Sequence, residues 1–74
     1  MKKVELENNL NAIGLVYDDS GSIRLKETGQ TVAIINKANP LQINTDTEGF
    51  AALVEDKQKI LALMIFEFVS DLNP

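Results

Sequence analysis

The amino-acid sequence predicts an α+β fold: an N-terminal helix, a four-stranded antiparallel meander and a long C-terminal helix packed on one sheet face. Three observations point there. Apolar residues at both ends of the chain recur at helical spacing. The segments between them alternate or are β-branched, and each is bounded by turn-forming residues. The whole is 74 residues long, which makes residues 1–74 a single small globular domain.

The first element is expected over residues 2–13, where Leu6, Leu10 and Ile13 fall at i, i+4 and i+7 and Gly14 stands at a capping position. Leu15-Val16-Tyr17 is β-prone. Asp18-Asp19-Ser20-Gly21 then supplies residues that turn the chain through local side-chain hydrogen bonds and, at glycine, positive φ. Ser22-Ile23-Arg24-Leu25-Lys26 alternates with the period of a strand that has one face on a core. A second turn at Glu27-Thr28-Gly29-Gln30 leads into the β-branched Thr31–Asn36. A further turn at residues 36–40 leads into a short strand, Leu41–Asn44, whose start accommodates Pro40. The inward sheet stripe is expected to be Ile23, Leu25, Val32, Ile34, Leu41 and Ile43, leaving Arg24, Lys26, Ala33, Ile35, Gln42 and Asn44 outward.

Thr45-Asp46-Thr47-Glu48 has the spacing of a capping box. Phe50 and Leu53 should tuck this brief turn onto the core before the main helix starts near Glu55-Asp56, two acids suited to the positive end of a helix dipole. That helix is expected to run to Leu72, with Asn73 and Pro74 closing the chain. On a 100° wheel it carries two apolar stripes. Leu61, Ile65, Phe68 and Leu72, flanked by Met64, form the core face, and Phe68 is expected to meet Ile23, Ile34 and Ile43. Leu63 and Phe66 project away from it. Either the N-terminal helix covers them or a second chain does. The second is the expectation, which makes Leu63 and Phe66 the candidate interface residues.

Composition narrows the function. With no cysteine and no histidine, neither a disulfide nor the usual zinc ligands exist, so oligomerisation is the remaining aid to a domain this small. The same absence removes the thiol and imidazole groups that carry most nucleophilic and general-base chemistry near neutral pH. No glycine-rich phosphate loop or nucleophile elbow is present. No enzyme activity, catalytic residue, metal site or cofactor is expected. Asp18, Asp19, Ser20 and Gly21 could contribute to a cation loop, but their spacing is not that of an EF-hand, and a hairpin turn explains them. A net charge of −4 weighs against nucleic-acid binding, which depends on cations that neutralise phosphates. A sheet face without aromatics would also stack bases poorly. No secretory signal follows Lys2-Lys3, and the apolar run at 60–69 is about half of the roughly 20 residues a spanning helix needs, so a soluble cytoplasmic protein without membrane contact is expected.

Gln30-Thr31-Val32-Ala33-Ile34-Ile35-Asn36-Lys37, then Ile43–Phe50, then the leucine-rich helix, give the chain a layout that resembles short uncharacterised proteins encoded by phages and prophages of Gram-positive bacteria. The resemblance covers residues 10–72. It implies a bacterial cytoplasm and a phage-related role, and brings no catalytic residue. The resulting expectation is a small non-enzymatic interaction protein, homodimeric. The alternative is an acidic inhibitor or regulator that docks on a host nucleic-acid-handling protein, with carboxylates in place of phosphates. The eleven acidic residues form no run longer than two, which does not favour mimicry of that kind.

Overall fold

A computed structural model describes residues 1–37 and 41–72 and, of Leu72, the backbone alone. The elements follow the order α1 (Lys3–Ala12), β1 (Leu15–Tyr17), β2 (Ser22–Leu25), β3 (Thr31–Asn36), β4 (Gln42–Asn44), α2 (Glu48–Ala51) and α3 (Glu55–Leu72). The strands form one antiparallel sheet in the order β1-β2-β3-β4, a meander. Part of the expected turn at 36–40, and the chain end at Asn73 and Pro74, lie outside the described residues.

Helix α1 begins where the Glu5 carboxylate accepts the Lys2 amide at 3.3 Å, and Gly14, just past its C-cap Ile13, has φ of 81°. Leu6 and Leu10 are fully buried under it. The turn from β1 to β2 is closed by the Gly21 amide donating to Asp18 O at 3.0 Å and the Asp18 amide donating to Ser22 O at 2.9 Å. Helices α1 and α3 pack on the same sheet face and run in opposite directions. The Met1 amine lies against the Asp71 carboxylate, and at the other end Ile13 and Gly14 share a depression with Lys57. The core is formed by Leu6, Leu10, Leu15, Tyr17, Ile23, Val32, Ala33, Ile35, Leu61, Ile65 and Phe68.

Two expectations about the sheet need correction. In β3 Val32 is buried in the core as expected, but it is joined there by Ala33 and Ile35, while Ile34 pairs with Ser22 on the opposite face and is only half-buried. The cause is a bulge. Ile23 pairs with Ala33 but Arg24 pairs with Thr31, so Val32 has no partner of its own. Val32 and Ala33 are both fully buried, which strict two-residue alternation does not allow over one covered face. Beyond the bulge the phase of β3 is shifted by one, which takes Ile34 off the face expected to meet Phe68. The Phe68 ring meets Tyr17 edge-on, with centroids 5.8 Å apart, rather than Ile34.

The second correction concerns the cap at 45–48. The N-cap of α2 is Thr47, whose Oγ1 accepts the Phe50 amide at 2.9 Å, and the expected capping box from Thr45 does not form. The Thr47 hydroxyl also donates, to Val32 O at 2.6 Å, and so ties the start of α2 to β3. Strand β4 pairs with β3 only over Ile34–Asn36, so α2 takes its place beside the start of β3, with Gly49 against Thr31 O. A sheet edge that would otherwise face solvent is thereby covered. Gln58 of α3 completes the junction by donating its amide to Phe50 O at 2.9 Å and Leu53 O at 3.2 Å.

Candidate functional site

Much of the apolar surface left over once the core is filled lies on the outside of the helical layer. In α3, Leu61, Ile65 and Phe68 are buried, as their spacing predicts. Leu63 and Phe66, on the far side of the same helix, remain 65% and 68% exposed. Helix α1 does not cover them. It contacts α3 elsewhere, with the Met1 amine against Asp71 near the C-terminal end of that helix. Beside Leu63 and Phe66, Val4, Ile43, Val54 and Ile60 are the further large apolar residues exposed among the described residues. Ile60, one turn before Met64, is 42% exposed, and Val4, in the first turn of α1, is 59% exposed. Val4 stands two residues from Leu6 and so on the opposite side of its helix, a position that a search for the core stripe alone passes over.

Along α3 the residues Lys59, Leu63, Phe66 and Ser70 recur at i, i+4, i+7 and i+11, an apolar pair between a cation and a hydroxyl. Lys59 Nζ lies 3.4 Å from Glu55 Oε1 across one helical turn, with both side chains exposed. Ser70 Oγ donates to Phe66 O at 2.8 Å and so is satisfied within the helix. Among the described residues no helix is long and apolar enough to cross a membrane.

The acidic turn at 18–21 is built for structure. Asp18 Oδ1 accepts the Ser20 amide at 2.9 Å, the Ser22 amide at 3.3 Å and the Ser20 hydroxyl, while Oδ2 lies 3.0 Å from Arg24 Nε. The Ser20 hydroxyl, the two amides and the Arg24 charge hold the Asp18 carboxyl below its ordinary 3.8. Asp19 is held low by its contact with Lys3, whose ammonium is raised by the same pair. These carboxylates serve the turn and the docking of α1, and among the described residues no group of three acids could hold a metal ion.

The depressed Asp18 value has a defined consequence for stability. Its contribution is present above the unfolded carboxylate range near pH 4 and is lost as pH falls through the lower folded value. Thermal melts between pH 5 and 2.5 should therefore show a shallower acid-side decline in Asp18→Asn than in the wild type. Parallel curves would mean that the carboxylate contributes nothing through its ionisation.

Surface depressions are also present among the described residues. One of about 370 Å³ is lined by Asp19, Ser20, Gly21, Ile34, Ile35, Asn36 and Lys37, and one of about 300 Å³ by Ile13, Gly14, Leu25, Lys26, Glu27 and Lys57. Both are open to solvent, and neither brings together an acid and a base in a sheltered cleft of the kind general acid–base chemistry needs. No family model, curated protein or solved structure matches this chain.

Proposed function

We propose that this protein is a small non-enzymatic interaction protein that acts as a homodimer, with the outer face of its helical layer meeting a second copy. The observation that carries this reading is the exposure of Leu63 and Phe66 on an 18-residue helix whose other face is fully committed to the core. Burying two such side chains is worth about 1.5 to 3 kcal/mol each. That is large beside the few kcal/mol available to a single core of this size, in a chain with neither cysteine nor histidine to supplement it. A phage or prophage setting rests on the resemblance carried by residues 30–37, 43–50 and the leucine-rich helix, and a cytoplasmic location on that resemblance together with the short apolar run and the residues after Lys2-Lys3. The acidic-inhibitor alternative is disfavoured by the spread of the eleven acidic residues, which form no run longer than two.

The test is the mass in solution. Light scattering should give a dimer for the wild type at micromolar concentration. Leu63→Glu combined with Phe66→Glu should give a monomer whose circular dichroism is still that of a folded α+β domain, since a separated chain can leave the new charges in water. A wild type that stays monomeric at high micromolar concentration overturns the proposal. So does a double variant that unfolds, because it would place these residues in the subunit core.

A further inference from the structure

We infer that the second copy seats antiparallel on the first, α3 across α3, about a twofold axis that passes between Leu63 and Phe66. This rests on the self-association proposed above and specifies its orientation and the residues that select it. Leu63 and Phe66 alone can bury roughly 200 to 300 Å², well short of the about 800 Å² per partner of an ordinary stable interface. The contact must therefore spread beyond this pair over the helical layer, where Ile60 and Val4 are also exposed.

Charge decides the direction. Each chain carries −4, so two copies repel overall and any local pairing has to be arranged against that background. The stripe formed by Lys59, Leu63, Phe66 and Ser70 has its cation on the N-terminal side, and Glu67 borders it on the C-terminal side. A parallel pairing would set Lys59 against Lys59 and Glu67 against Glu67. An antiparallel pairing sets Leu63 of each copy against Phe66 of the other. Glu67 of the second copy then lies across from Ala62, three residues or about 4.5 Å along the axis from Lys59, within the reach of a lysine side chain. The twofold axis makes this pair twice. Opposed helix dipoles favour the same direction. The Lys59 ammonium is held on one side only, by the exposed Glu55, which leaves it donors for a second carboxylate. Because such an interface uses the same patch on both copies, it closes at two chains.

A charge swap followed by sedimentation equilibrium at low salt tests this orientation. Lys59→Glu and Glu67→Lys should each weaken the dimer about tenfold, since each replaces two attractions by two repulsions. The combined variant, with the charges exchanged, should return to within about threefold of the wild type. In a parallel pair like charges face like in all four proteins, so no single change weakens association and no combination restores it. A dimer that is broken by Leu63→Glu with Phe66→Glu but is indifferent to all three charge variants overturns the antiparallel seat and leaves self-association standing. A monomeric wild type overturns both.

Discussion

Phe68→Ala should cost about 3 to 5 kcal/mol, the range for removing a buried aromatic ring and leaving a cavity. A domain of this length without cysteine has only a few kcal/mol in hand, so the variant should be largely unfolded at 37 °C. The size of the effect follows from position. Phe68 is the largest of the fully buried side chains, and its ring packs edge-on to Tyr17 of β1, so its loss loosens α3 from the sheet edge as well as emptying volume. The Lys37 ammonium stands 5.7 Å from the Phe68 centroid and 5.8 Å from that of Tyr17, covering the same pair. Urea denaturation followed by circular dichroism measures the loss, with Phe66→Ala as the control. At concentrations where the chain is monomeric, Phe66→Ala should stay within about 0.5 kcal/mol of the wild type, as exposed substitutions do. A Phe68→Ala loss below about 1 kcal/mol would show that α3 is not anchored through this ring.

The contrast between Phe68 and Phe66, two residues apart, was legible in the sequence because a helix has one period and only one side of this one could face the sheet. The same holds for Leu6 and Leu10 in α1, and for the turn at Asp18–Gly21, whose residue types act locally. The phase of β3 was not legible. Val32, Ala33, Ile34 and Ile35 are apolar on both faces, so alternation offers no choice between them, and the bulge that sets the choice depends on the pairing between β2 and β3. The cap of α2 failed for a related reason. Thr45 and Thr47 are equivalent by residue type, and what distinguishes Thr47 is the Val32 carbonyl, fifteen residues away along the chain. Of the outer helical surface, Leu63 and Phe66 were visible as the remainder of a stripe. Val4 and Ile60 became visible only when α1 and α3 were placed side by side.

Gly21→Ala should be the most damaging substitution in the turns, with a cost on the order of 3 kcal/mol or more. Gly21 has φ of 96°, and a Cβ there would stand 2.2 Å from Ile35 O, a backbone atom of the neighbouring strand. The strand cannot yield cheaply, because the Ile35 amide donates to Gly21 O at 2.7 Å and the Gly21 amide donates to Asp18 O at 3.0 Å. Making room for the methyl group means parting β2 from β3 at the mouth of the hairpin, or turning Gly21 out of its conformation and losing these bonds. Gly14→Ala separates the two causes. Gly14 has a similar φ of 81°, but no heavy atom lies within 4 Å of its added Cβ, so that variant carries the conformational strain alone, about 1 to 2 kcal/mol. Chemical denaturation of the two variants should therefore show Gly21→Ala less stable than Gly14→Ala by at least about 1 kcal/mol. Equal losses would mean that the hairpin shifts to accept the methyl group without disturbing the ladder, and that the approach of Ile35 to Gly21 does not hold β2 and β3 in register.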